Sequence, residues 1–197
     1  MKPHEVSWKA RLRQWLFVAA LLTWCWYGMQ AVHELGHVTA AWLAGTEVRQ
    51  VVLHPLTISR TDLGNRNEYP LLVVWAGPIC GALLPVAVMI LLGTIGGPSA
   101  TAQFFAGFCL IANGVYIGCG AFADVGDCRV MSQHGTPLLA MVLFGLPTVP
   151  VGLLLWDQLG SPREFFEHPE KASPKATLAL SVTLVIYLVT TAILSPT

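Results

Sequence analysis

The chain is 197 residues long, 54% hydrophobic and only 11% charged, with eleven basic residues balanced by eleven acidic ones. Its mean hydropathy is +0.61. A soluble domain carries about a quarter charged residues, so these values exclude an ordinary water-soluble globule. No basic patch marks the sequence, and no nucleic-acid partner is expected.

The N-terminal segment from Met1 to Arg13 is basic and is followed by an apolar run from Trp15. No small-residue cleavage site follows at signal-peptide distance, so the run reads as an uncleaved membrane helix. Five apolar stretches reach the ~20 residues that a bilayer core demands. They predict helices over Trp15 to Ala44, Leu71 to Leu92, Ala102 to Phe122, Pro137 to Trp156 and Thr177 to Leu194. The fold class is therefore an all-α polytopic membrane protein. A single membrane-embedded domain is expected over 1–197, with a core of about 15–130 and additional helices over 137–194. The protein is read as multi-pass, in contact with membrane lipid and resident in the cell (inner) membrane. The sequence does not define its oligomeric state.

Between the first two helices, Glu47 to Leu53 and Leu56 to Thr61 are rich in Val, Leu, Ile and Thr and flank His54-Pro55. That pattern predicts a small β-hairpin. Asp62 to Pro70 is expected to be a loop, Gly93 to Ser99 a turn, and Asp157 to Lys175 a second polar loop. Helix two carries Gly77 and Gly81, and helix three Gly114 and Gly118, at the GxxxG spacing that lets helices approach closely. Pro78 and Pro85 should distort helix two and free backbone carbonyls for other partners. Cys25, Cys80, Cys109, Cys119 and Cys128 include no CxxC pair. They read as small apolar filler, neither a disulfide framework nor a metal site.

Residues 33–37 read His-Glu-Leu-Gly-His. On a helix, positions i and i+4 share one face, so His33 and His37 can reach one metal ion. Imidazole nitrogens suit Zn²⁺. Glu34 is turned about 100° away, which suits it to take a proton from water activated by zinc. Two histidines and a glutamate within an apolar helix are costly in lipid, and such groups are functional candidates by default. A catalytic zinc site needs a third protein ligand and an open position. Asp124 and Asp127 are the candidates, because helices one and three run in the same direction and carry these polar groups near their C-terminal ends. His54 and His134 lie in polar segments and are weaker candidates.

These residues resemble the site-2 protease family of intramembrane metallopeptidases. The matching segments are AVHELGHVTAAWLAG (31–45), WAGPICG (75–81) and ADVGD (123–127), in the family's order. The resemblance implies a three-helix core that holds zinc through His33, His37 and one Asp, with Glu34 as general base. The family's usual Asn, prolines and Asp-Gly-Gly are altered here: no proline lies between Asn113 and Asp124, and Asp127 is followed by Cys-Arg. Asp127, preceded by Gly126, is the better match for the third ligand. Asn113 is expected to pack within helix three, with substrate orientation as the other role.

The function expected is zinc-dependent hydrolysis of a peptide bond in or near the membrane, acting on a membrane-protein substrate. The alternative is an inactive scaffold or metal-binding module of the same fold. An edge of the predicted hairpin could bind an unwound substrate as an added strand, through Val51 and Val52. Orientation is contested within the sequence itself. Seven basic residues fall on the side of the N-terminus and four on the other, which favours a cytoplasmic N-terminus and a zinc site near the outer face. The family resemblance implies the cytosolic side. A broken first helix or a short re-entrant piece would reconcile the two.

Overall fold

A computed structural model describes residues 7–97 and 99–195. Lys2, part of the basic N-terminal segment, and Pro98, in the turn after helix two, lie outside the described residues. Five helices are long and apolar enough to cross a membrane. They are α1 (Trp8–Leu43), α2 (Pro70–Gly96), α3 (Ala100–Gly120), α5 (Leu138–Asp157) and α7 (Pro174–Leu194). A two-stranded antiparallel hairpin, β1 (Val48–Val52) and β2 (Arg60–Leu63), joins α1 to α2. The protein is a multi-pass integral membrane protein.

Three features depart from the sequence expectations. First, α1 begins at Trp8, so Lys9, Arg11 and Arg13 are helical. The basic residues extend the helix because nothing among them breaks it: no Pro or Gly occurs between Trp8 and Tyr27. The helix is continuous over 36 residues, which removes the broken-helix alternative. Second, the hairpin's return strand lies later than expected. Asp62 and Leu63 pair with Gln50 and Val48, while Leu56 to Ser59 form the connection. Asp62 joins the strand because its carboxylate accepts hydrogen bonds from Gln50 Nε2 at 2.7 Å and Arg60 Nε at 3.3 Å. Third, the polar connections are partly helical. The segment after α3 contains α4 (Gly126–Gln133), and the loop before α7 contains α6 (Pro162–Glu167) and a 3-10 turn at Pro169–Lys171.

Close packing follows the small residues. Gly145 of α5 sits against Gly114 and Gly118 of α3, and Gly152 of α5 against Gly107 of α3. A Cβ at Gly152 would lie 2.7 Å from the Gly107 carbonyl oxygen, so these glycines set the α3–α5 approach. On the other flank, α7 packs on α1. There Trp24 Nε1 donates to Leu180 O at 3.2 Å, and the Tyr187 ring packs at a tilt against both Trp24 and Tyr27. The segment containing α6 folds onto the N-terminal end of α1. Arg13 Nε donates to Ala172 O at 2.7 Å and Gln14 Nε2 to Phe165 O at 2.6 Å. The hairpin and α4 lie at the opposite end. Cys128 and Met131, one turn apart, anchor α4 in a buried cluster with Val74, Ile117 and Met141.

Candidate metal centre

The site is built at the meeting of α1, α2, α3 and α4. Gly36, inside the HELGH segment, faces the Ala76 carbonyl and Cys80 of α2 with no room for a side chain. Gly77 lies directly under the His37 ring, where a Cβ would collide with the imidazole. α2 therefore presses its backbone onto the face of α1 that carries His33 and His37. The Val73 carbonyl of α2 accepts a hydrogen bond from His37 Nδ1 at 2.8 Å. On the other side, His33 Nδ1 donates to Asn113 Oδ1 at 2.8 Å, and Asn113 Nδ2 donates to Cys109 O at 2.9 Å. The second bond fixes which end of the Asn113 amide faces His33.

With both Nδ1 atoms engaged by carbonyl-type acceptors, both Nε2 atoms are left to face inward. They are 3.1 Å apart. Asp127 Oδ2 lies 2.8 Å from His33 Nε2 and 3.4 Å from His37 Nε2. Among the described residues, His33, His37 and Asp127 form the one group of three that could hold a metal ion, with donor atoms within 4.8 Å of one another. Two imidazole lone pairs and a carboxylate converging in a buried space repel unless positive charge stands between them. A divalent cation would supply that charge, and second acceptors on metal-binding imidazoles are the usual means of fixing tautomer and ring orientation. The donor set fits zinc.

The chain reverses between the two candidate aspartates. Asp124 and Gly126 both adopt left-handed backbone angles, with φ of 49° and 53°. Asp can adopt this region and Gly does so freely. The turn leaves Asp124 exposed, 3.8 Å from Arg129 Nε, and carries Asp127 inward at the start of α4. His54 and His134 stand apart from the cluster. His54 Nδ1 accepts from the Leu56 N–H, and His134 Nδ1 donates to Val130 O. Cys128 neighbours Asp127, but its Sγ is turned to the Tyr116 and Ile117 carbonyls at 3.7 and 3.6 Å, away from the cluster of His33, His37 and Asp127. Cys25 and Cys109 are buried, whereas Cys119 is exposed.

Glu34 is buried beside the cluster, and its Oε2 accepts a hydrogen bond from Thr61 Oγ1 of β2 at 2.7 Å. The bond ties the carboxylate to the hairpin. The sequence does not single out Thr61, because a threonine in a strand carries no signal of its own. A cavity of about 1090 Å³ opens in front of these groups. His33, Glu34, His37 and Asp127 line it, together with Trp26, Met29 and Gln30 of α1 and Ile111, Ala112 and Val115 of α3. Arg60, Thr61 and Leu63 of β2 also line it. β1 contributes no lining residue, so the strand facing the cavity is β2, not the one carrying Val51 and Val52.

Compared with known protein families, the chain matches the Peptidase M50B-like family over residues 14–118, more than half its length. It belongs to this family. The match agrees with the site-2 protease resemblance drawn from HELGH and WAGPICG. Comparison with curated proteins and with solved structures found no match. The M50B-like region holds His33, Glu34, His37 and Asn113 and ends before Asp127. Asp127 is therefore brought into the site by the local geometry, outside the matched segment. The sequence suggests packing or substrate orientation for Asn113. Its amide instead bonds His33.

Proposed function

We propose that this M50B-like protein is an intramembrane zinc endopeptidase that hydrolyses a peptide bond of a membrane-protein substrate. The observation that carries this reading is the convergence of His33 Nε2, His37 Nε2 and Asp127 Oδ2 on one point, with the Glu34 carboxylate on the same cavity. His33, His37 and Asp127 would hold the metal. Zinc, when bound, polarises a carbonyl and makes water acidic enough to ionise near neutral pH. Glu34 takes the proton from the attacking water and later delivers it to the departing amine. The Thr61 hydrogen bond holds one carboxylate oxygen and leaves the other for this transfer.

Polar groups together with apolar residues of α1 and α3 in the cavity lining suit a transmembrane or membrane-proximal segment. A substrate in extended form would add to the β2 edge, which lines the cavity, and main-chain hydrogen bonds would supply affinity. The test is zinc content per chain in detergent-purified protein, followed by turnover. Near-stoichiometric zinc that is lost in His37→Ala and Asp127→Ala, but kept in Asp124→Ala, is the expected result. Glu34→Gln should keep the metal and abolish cleavage. A cellular phenotype intact in Glu34→Gln would replace this reading with a scaffold.

A further inference from the structure

We propose that Tyr116 is a second catalytic group, whose phenolic O–H donates a hydrogen bond to the oxygen of the scissile carbonyl as negative charge develops on it. The inference rests on the hydrolytic reading above. Tyr116 lies three residues after Asn113 on α3, so the helical repeat brings it to the same face as the amide that bonds His33. Its ring stands edge-on to the His33 imidazole, with centroids 5.7 Å apart and planes at 69°. Its side chain lines the same cavity as His33, Glu34, His37 and Asp127.

The hydroxyl is only half used. Its oxygen accepts the backbone N–H of Asp127 at 3.0 Å. Gly126 makes that approach possible, since a Cβ there would collide with the hydroxyl. Among the described residues no acceptor takes the phenolic proton. Tyr116 is 37% exposed, so this proton is available to a group that enters the cavity, and a phenylalanine there would offer none. The bond accepted from Asp127 N–H also polarises the O–H and strengthens it as a donor. Tyr116 is thus a fixed donor with a free proton, facing the space in which the reaction occurs.

In the addition step the water oxygen bonds to the carbonyl carbon while Glu34 takes one water proton, and the carbonyl π pair moves onto the carbonyl oxygen. Tyr116 hydrogen-bonds that oxygen and keeps its own proton. On collapse the pair re-forms the carbonyl, the C–N bond breaks, and Glu34 hands its proton to the leaving nitrogen.

The test compares zinc-loaded wild type with Tyr116→Phe in detergent, using two probes. N-phosphoryl-Leu-Trp offers tetrahedral phosphoryl oxygens, while mercaptoacetyl-leucinamide offers a thiolate and no oxygen anion. The expected result is unchanged zinc content, unchanged thiol affinity and phosphoryl affinity weakened about 100-fold, the scale of one lost oxyanion donor. Replacement of Tyr116 by 4-aminophenylalanine, which retains an N–H donor, should restore most of that affinity. Loss of zinc, or equal weakening of both probes, would make Tyr116 a clamp on Asp127 and overturn the proposal. Phosphoryl affinity unchanged in Tyr116→Phe would overturn it too. A wild type that binds neither zinc nor either probe would instead sink the hydrolytic reading, and this inference with it.

Discussion

At the scale of single residues, the site depends as much on what is missing as on what is present. Gly77 has no side chain because the His37 imidazole occupies that space. Gly77→Ala should therefore push His37 off its Val73 hydrogen bond and lower zinc affinity about 10–100-fold, the usual effect of disturbing an outer-shell partner. Gly93 lies in the same helix, and a Cβ added there would meet nothing within 4 Å. Gly93→Ala should keep zinc and gain about 0.5–1 kcal/mol from helix propensity. Zinc titration and thermal unfolding of the two variants check both, and equal zinc affinity in Gly77→Ala would refute the packing argument. The two histidines and Glu34 were legible in the sequence because one helical repeat fixes their spacing. Asp127 was legible as the better of two candidates, through the family resemblance and the preceding Gly126, with Asp124 left as the alternative. The choice between Asp124 and Asp127 depends on two left-handed residues, and ordinary residue-type patterns do not specify where such a reversal points. The Asn113 and Thr61 contacts join residues 80 and 27 positions apart, and no local pattern announces them.

At the scale of elements, the five long apolar helices were legible because bilayer length is a strong signal. The short ones were not. α4 has eight residues and just two buried positions, Cys128 and Met131, too few to establish a period. The expected return strand was drawn too early by the apolar Leu56 and Ile58, which are highly exposed in the connection. Polar Arg60, Thr61 and Asp62 instead form the strand, held by cross-strand and side-chain hydrogen bonds. This placement gives the hairpin a direct contact with the proposed base. Thr61→Val keeps the strand's shape and β-branching while removing the hydroxyl that bonds Glu34. The carboxylate then loses one donor, at a cost of about 1–3 kcal/mol for a buried charged acceptor. Cleavage should fall about 10-fold or more with zinc content unchanged. Measuring turnover beside metal content separates the outcomes: full activity in Thr61→Val would detach the hairpin from the chemistry.

At the scale of the whole molecule, the two ends of the bundle carry different work. One end gathers Lys9, Arg11 and Arg13 of α1 with Arg163, Lys171 and Lys175, and it is knit by hydrogen bonds from α1 to the α6 segment. The other end holds the hairpin, α4 and the candidate metal site. That end carries four basic residues, Arg49, Arg60, Arg66 and Arg129, against six at the first. α1 connects the two ends without a break, and His33 lies about 27 Å along it from Trp15, close to the thickness of a bilayer core. By the positive-inside rule, the basic end is predicted on the cytoplasmic side and the candidate metal site near the outer boundary. The prediction is tested with Ser161→Cys beside α6 and Asn65→Cys beyond the hairpin, each in a chain whose exposed Cys119 is replaced by Ala. A membrane-impermeant maleimide added to intact cells should label Asn65→Cys and reach Ser161→Cys only after permeabilisation. The reverse pattern would turn the molecule over and put the site at the cytosolic face, as the family resemblance implies. Charge would then have been outweighed by the way the helices insert, and the substrate bond would lie near the inner boundary of the bilayer.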